Sequence, residues 1–230
     1  SHTGFASGLI AKELGIPFVS SFRGNDLHQD LMNASYFSYV QWCLENSDVL
    51  TFVSEQAKFR AIALSKNINV NRTRVIWNSI DASEFEGYRR LTEYSLKSPV
   101  LCSIGRFRRT KGTDFLLEAF ARLEAGTLLL IGDFVENEKA HWQDLLKASP
   151  SSLQVIVSGF VPHGQVLSYI DLADIVVFPS RFEGCSNAFL EAMFAGKPII
   201  CTDVGAMGDI LSQSAGGIVL DRANSIDLHD

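Results

Sequence analysis

Residues 173–203 read ADIVVFPSRFEGCSNAFLEAMFAGKPIICTD, and their order decides the fold. An apolar run, Ile175 to Phe178, leads into a loop opened by Pro179 and Ser180. An apolar segment of helical length follows, closed by Gly196 and Pro198, and then a second apolar run, Ile199 to Cys201. The pattern predicts a strand, a helix and a parallel strand. In open parallel sheets ligands bind beyond the carboxyl ends of the strands, where loops and positive helix N-termini point. The loop Ser180 to Ser186 lies there. Glu191 is the only charge in NAFLEAMFAG. A carboxylate in so apolar a helix is costly unless donors satisfy it, and either protein groups or ligand hydroxyls can be those donors. Glu183, in the loop, reads either as a solvated charge or as part of a site.

Outward from this unit, strand-like runs at Val100 to Ile104, Thr127 to Ile131, Leu153 to Val157, Pro198 to Cys201 and Gly217 to Leu220 alternate with helical segments. That is the pattern of a doubly wound parallel sheet. Each run is apolar along its length, as expected where helices cover both faces. After the first comes IGRFRRTKGTDFLLEAF, in which Gly105 ends the strand, Arg106 and Lys111 lie in a basic loop, and Gly112 opens a helix. Cations and free amides at a helix N-terminus make an anion site suited to a diphosphate. For any one of Arg106, Arg108, Arg109 and Lys111 taken alone, a solvated basic loop is the plainer reading. SGFVPHGQV, residues 158–166, follows the third strand, and His163, after Pro162 near a helix start, reads as structural rather than catalytic.

The first half is less regular. Phe5, Leu9, Ile10 and Leu14 recur at helical spacing, Gly15 stops the helix, and Pro17 to Phe22 reads as a buried strand leading into the loop SFRGNDLHQD. An aromatic-rich helix, Tyr36 to Asn46, precedes a strand at Val49 to Val53. Ser54 then caps a helix with Ala57 and Ala61 on one face. Val75 to Trp77 reads as a third strand, followed by NSIDASEF. The polar stretch Gly87 to Pro99 carries no periodicity and reads as a connection. The expected organisation is an α/β chain of two Rossmann-like parts: residues 1–86, a connection at 87–99, and 100–230. The chain opens without Met directly on a helical pattern and closes soon after GGIVL, so it reads as truncated at both ends, its N-terminal domain incomplete.

Composition narrows the class of function. Of the 230 residues 47% are hydrophobic and 20% charged, the balance of a folded enzyme rather than a disordered chain. A net charge of −6 argues against a nucleic-acid partner. Cys43, Cys102, Cys185 and Cys201 show no Cys-x-x-Cys spacing and read as reduced, hence a cytoplasmic chain. No apolar run approaches the roughly 20 residues needed to span a bilayer. No Asp-x-Asp pair stands in a loop suited to Mg²⁺ or Mn²⁺, so neither a metal nor another cofactor is expected.

One resemblance joins these features. Glu183, seven residues and Glu191, preceded by Pro-Ser and followed by Ala-Met-x-x-Gly-Lys-Pro, resemble the signature of the GT-B retaining glycosyltransferases of family 4, also called glycosyl transferases group 1, of the glycogen-synthase and mannosyltransferase type. The resemblance implies two Rossmann-like domains facing a cleft. It also implies transfer of a sugar from a UDP, GDP or ADP donor to a glycan, lipid or small-molecule acceptor, as in cell-surface polysaccharide synthesis. By it Glu191 holds the ribose hydroxyls, and Glu183 contacts the donor sugar near the reacting carbon. Amides of Gly184, Cys185, Ser186 and Asn187 bind sugar hydroxyls or phosphate. Arg106 and Lys111 match the family's diphosphate clamp, whereas Arg108 and Arg109 have no such match. The turn carrying Phe160 and Val161 receives the base, and Gly205 lines the donor pocket. Arg23 stands where the family's His-Gly-x-Asp motif has His, with Gly24 and Asp26 matching, and Ser79 stands where Gly is usual in the turn after Asn78. Peripheral membrane association through a part preceding the chain is a further expectation. A sugar-nucleotide epimerase, a phosphorylase and a non-catalytic nucleotide-sugar binding module are the rival readings.

Overall fold

The computed structural model describes residues 2–24, 26–27, 33–65, 67–147 and 152–221. The chain divides into two compact units. The first comprises Ser1–Asn78, Glu183–Cys185 and Val204–Asp209, and the second Ser79–Phe182, Ser186–Asp203 and Ile210–Asp230.

In the first unit α1 (His2–Leu14), β1 (Val19–Phe22), α2 (Ala34–Asn46), β2 (Val49–Phe52), α3 (Glu55–Leu64) and β3 (Thr73–Val75) alternate. The three strands lie in the order β1-β2-β3, all parallel, with Phe22 opposite Phe52. Those two rings stack at 5.5 Å and anchor a core with Leu27, Val40, Leu44, Leu50 and Ala61. Ser54 caps α3 as its sequence position implies, its side chain accepting from the Ala57 amide.

The third strand departs from expectation. It covers Thr73–Val75, and Ile76 and Trp77, read from the sequence as strand, are 59% and 39% exposed. The cause is polar chemistry that apolar patterning misses. A turn at Val70–Arg72 accepts the Thr73 hydroxyl at the Val70 carbonyl, 2.8 Å away, and so starts the strand on a buried threonine. The chain then peels away after one last ladder bond, from Ile76 N–H to the Phe52 carbonyl at 2.8 Å.

The second unit runs β4 (Val100–Ile104), α4 (Thr113–Phe120), β5 (Gly126–Ile131), α5 (Lys139–Lys147), β6 (Leu153–Val157), α6 (Val166–Ile170), β7 (Ile175–Phe178), α7 (Asn187–Phe194), β8 (Ile199–Thr202) and β9 (Gly217–Leu220), with α8 (Met207–Leu211) between β8 and β9 in the chain. Its six strands are all parallel, in the order β6-β5-β4-β7-β8-β9. The sheet winds outward from β4 in one direction and then from β7 in the other. Strand order therefore reverses between them, the place where open α/β sheets take ligands.

β5 is buried from end to end, and Leu128 and Leu130 pack on one face with Phe107, Leu116, Phe120, Phe134 and Trp142. Each such side chain contributes about 1.5 to 3 kcal/mol by leaving water. The expectation of strands covered on both faces holds for β5 and not for the edge strand β9, where Ile218 is 59% exposed. Residues 87–99 are irregular, as their polarity implies, yet they are bonded to β5 and to α6. The Lys97 amide donates to Thr127 Oγ1 at 2.8 Å, and the Arg89 amide to Ser168 Oγ at 3.0 Å.

Candidate active site

At the strand-order reversal β4 and β7 are hydrogen-bonded neighbours, Cys102 opposite Val176, so the loops that leave their carboxyl ends are adjacent. In the loop after β4, Phe107 is pinned to the loop after β5 by two backbone bonds. Its amide donates to the Asp133 carbonyl at 2.9 Å, and its carbonyl accepts from Val135 at 3.1 Å. Burying Phe107 turns the preceding Arg106 outward, where it is exposed. A turn at Arg109–Lys111 then reaches Gly112, which caps α4 in the left-handed region at φ 67°. A Cβ at Gly112 would overlap the Pro179 carbonyl, so only glycine lets the two loops touch. Lys111 is half-buried, its ammonium beside Gly105.

The loop after β7 braces its neighbour. The Arg181 amide donates to the Thr110 carbonyl at 3.0 Å. The Arg181 guanidinium donates to Asp114 Oδ2 at 2.6 Å and to the Arg109 carbonyl, and lies 4.0 Å from the Phe115 ring centre. Thr202 on β8 holds the same loop from below, donating to the Ser180 carbonyl at 2.6 Å.

Between the carboxyl ends of β4 and β5 and the turn after β6 lies a cleft of about 280 Å³, lined by Ile104, Gly105, Arg106, Gly132, Phe160 and Val161 among others. It brings together Arg106, Phe160 and Val161, and Phe160 is 87% exposed. A larger cleft, about 600 Å³, opens at the amino ends of β8 and β9 against Lys197, Pro198, Gly216 and Gly217. Met193, Gly196, Lys197 and Pro198 of the signature line it, but none of the candidate catalytic or substrate-binding residues does, and it sits at the amino ends of the strands, so the smaller cleft is the candidate site.

Glu191, on α7, is buried, with 6% of its side chain exposed. The donor that its burial demands is His163, whose Nε2 lies 2.9 Å from Glu191 Oε1. His163 Nδ1 lies 3.2 Å from Glu84 Oε2. Ser186 occupies the N-cap of α7 without a side-chain capping bond, and Asn187, the first helical residue, is exposed.

The remaining predicted residues belong to the first unit. Gly24 packs against the Gly184 backbone. The Arg23 amide donates to Asp26 Oδ2 at 3.0 Å, and its guanidinium to Asn78 Oδ1 at 2.7 Å, so this exposed arginine is held in place. Asn78 Nδ2 donates to the Cys185 carbonyl at 2.8 Å. The Gly205 amide donates to Gln56 Oε1 at 3.0 Å, and the Ala206 amide to the Gly184 carbonyl at 2.8 Å. Glu183 is half-buried in this group.

Reading the sequence missed Arg181, Asn78, Glu84 and the contact between His163 and Glu191. The lone charge in α7 was the one available signal, since it announced a partner without naming it.

The four cysteines are free thiols. Burial pushes Cys185 up, partly opposed by the Asn78 amide, so this loop thiol is not activated as a nucleophile. Among the described residues no three His, Cys, Asp or Glu side chains gather into a metal-holding group, and no helix is long and apolar enough to cross a membrane.

The chain thus holds two α/β units, one of them a six-stranded doubly wound sheet with a basic loop at its switch point. The family model of the glycosyl transferases group 1 matches residues 98–230, more than half of the chain, and the chain belongs to that family. An uncharacterized glycosyltransferase of Methanocaldococcus jannaschii is 28% identical over 239 residues, covering 100% of this chain and 62% of its own length. A putative teichuronic acid biosynthesis glycosyltransferase of Bacillus subtilis is 26% identical over 220 residues, covering 92% of this chain and 53% of its own. The chain thus spans between about half and two thirds of these relatives. A crystal structure of an Anabaena protein in complex with UDP superposes with a TM-score of 0.77 at 15% identity, covering 98% of this chain and 64% of its own. The sucrose-phosphate synthase of Thermosynechococcus elongatus gives 0.77 at 21% identity, covering 98% and 61%. The fold is GT-B.

Proposed function

We propose that the protein is a retaining glycosyltransferase that moves a sugar from a UDP, GDP or ADP donor to a glycan, lipid or small-molecule acceptor, as in cell-surface polysaccharide synthesis. The observation that carries this reading is the pair of interlocked loops at the switch point, one offering Arg106 and Lys111 and the other bracing it through Arg181. Transfer demands that charge on a departing nucleoside diphosphate be met. Arg106, Lys111 and the amides at the starts of α4 and α7 meet it as preorganised groups. Phe160 and Val161 receive the base, and Glu191 accepts from the ribose hydroxyls. Glu183 contacts the donor sugar, the amides of Gly184, Cys185, Ser186 and Asn187 take its hydroxyls or phosphate, and Gly205 lines the pocket. Arg23 and Gly24 serve the acceptor side. The relative named for teichuronic acid biosynthesis and the Anabaena protein solved with UDP support the donor and product classes.

Retention by two displacements needs a carboxylate on the face opposite the leaving group. Glu183 is the one candidate, and by the family resemblance it binds hydroxyls of the donor sugar rather than standing behind the reacting carbon. The acceptor therefore attacks from the face that the phosphate leaves, and a phosphate oxygen takes its proton. A screen of UDP-, GDP- and ADP-sugars, reading released nucleotide and the product anomer by NMR, tests the assignment. Release with one donor class and a retained anomer are expected, and Glu183→Gln should keep measurable turnover and the same anomer. No release with any donor contradicts transfer. An inverted product contradicts retention, and a glycosylated Glu183 peptide trapped with a slow fluorinated donor contradicts same-face attack.

A further inference from the structure

His163, two residues beyond Val161 of the candidate cleft, is a titratable group that the proposed chemistry leaves without a task. Its ring is fixed from several sides. Nε2 meets Glu191 at 2.9 Å and Nδ1 meets Glu84 at 3.2 Å. The Phe85 ring lies 5.1 Å away and itself stacks at 5.7 Å on Phe194, one helical turn beyond Glu191.

Glu84 and Phe85 come from the turn Ala82–Phe85, which Asp81 caps by accepting from the Ser83 amide at 2.9 Å and hydroxyl at 2.8 Å. Those bonds hold the Asp81 carboxyl below its usual range. The turn docks closely on the one that carries His163. A Cβ at Gly164 would come within 3.1 Å of the Glu84 carbonyl oxygen, and one at Gly87 within 3.1 Å of the Gly164 carbonyl oxygen. All of these residues lie in the second unit.

An imidazole with a carboxylate oxygen on each ring nitrogen satisfies both when both nitrogens carry protons. With its Nε2 as donor the ring offsets part of the cost of burying the Glu191 carboxylate, a bond that reaches α7 from a different turn of the chain. It engages Oε1 and fixes the carboxylate plane. Among the described residues Oε2 makes no hydrogen bond, which leaves that oxygen for a hydroxyl of a ligand.

We propose that His163, held by Glu84, is a positioning residue that orients the Glu191 carboxylate toward a vicinal diol of the bound nucleotide. This rests on the reading of Glu191 given above. The carboxylate binds, and the histidine fixes its rotamer through a contact that no ligand atom shares.

The test is calorimetric titration of the chain with UDP, GDP and ADP and with their 2′,3′-dideoxy counterparts, on the parent and on H163F, H163Q, E84Q and E191A, with thermal melts as the folding control. Phe keeps the ring that packs on Phe85 and removes both N–H donors, whereas Gln keeps one donor. For whichever diphosphate the parent binds, H163F is expected to weaken affinity about tenfold, the loss of one charged hydrogen bond. H163Q should recover most of that loss, and E84Q should fall between the two. The dideoxy counterpart should bind H163F and parent alike, and H163F combined with E191A should be no weaker than E191A alone. If E191A weakens binding while H163F matches the parent, the positioning role is wrong and the Glu191 reading stands. If E191A matches the parent, or the parent binds none of the three, both fail. An H163F loss equally large for the dideoxy ligand also overturns the proposal, because it would show a general packing effect.

Discussion

The guanidinium of Arg181, in the loop after β7, is engaged by Asp114, the Arg109 carbonyl and the Phe115 ring. Arg106, in the adjoining loop after β4, is exposed at the rim of a cleft and makes no ion pair among the described residues. The two cations lie in loops that leave neighbouring strands, and their surroundings differ completely. One fixes the backbone of the basic loop, and the other keeps an exposed side chain on the loop so fixed, with only its own rotamers left to order. Net charge or local basicity cannot make that distinction, because it depends on which arginine has a carboxylate within reach.

The sharpest way to break the contrast is to remove charge from each loop separately. Arg106→Ala and Lys111→Ala should each lower kcat on the order of a hundredfold, with a smaller change in donor affinity, because the charge they meet grows as the glycosidic bond breaks. Arg108→Ala and Arg109→Ala should be mild. Equal losses at all four positions in steady-state kinetics would reduce the clamp to a generic basic patch.

Next in size is Glu191→Ala, which should weaken nucleoside diphosphate and intact donor alike by roughly one to two decades, the worth of a charged hydrogen bond. A change confined to the intact donor would move Glu191 from the ribose to the sugar.

Arg181→Met keeps the stem against Phe115 and deletes the bracing bonds. It should cost about 1 to 3 kcal/mol in denaturant unfolding, since Asp114 Oδ1 is already buried without a partner and the other oxygen would join it. Gly112→Ala should cost a similar amount, about 1 to 3 kcal/mol, from strain at a positive φ and the clash with Pro179. Both should lower kcat by displacing Arg106. Unchanged turnover in either variant would show that the brace serves stability alone.

These residues also mark how far the sequence could be read. The strand, helix and strand from Ile175 to Cys201 were legible because apolar runs and the Gly196 and Pro198 stops are local signals. So was the loop at Arg106 to Gly112, where chain direction and composition agree. Arg181 was not, since an arginine between Ser and Phe in a loop looks the same whether or not an aspartate 67 positions away receives it. Glu84 and His163 are 79 positions apart in turns without periodicity, and only the close approach at Gly87 and Gly164 joins them. Strand β3 was misplaced by two residues because it begins on Thr73 and Arg74, whose side chains bond to nearby backbone carbonyls rather than form an apolar run.

The smallest expected effect lies away from the site. Burial pushes the Cys201 thiol up from 9.0 to about 12. A thiol that ionises later folded than unfolded lends stability that is complete below pH 9 and is lost as pH rises through about 12. Cys201→Ala should therefore flatten part of the alkaline fall in Tm, and identical melting curves above pH 9 would contradict a buried, protonated thiol.

The central claim is that the carboxyl ends of β4 to β7, and not the larger cleft at the opposite end, take a nucleoside diphosphate. Hydrogen–deuterium exchange with and without UDP, GDP or ADP locates the ligand directly. The account predicts slowed exchange at Gly105 to Gly112, at Gly159 to Val161 and at Ser186 to Glu191, with none at Gly216 to Ile218. Protection confined to Gly216 to Ile218, or absent with all three nucleotides, would contradict it.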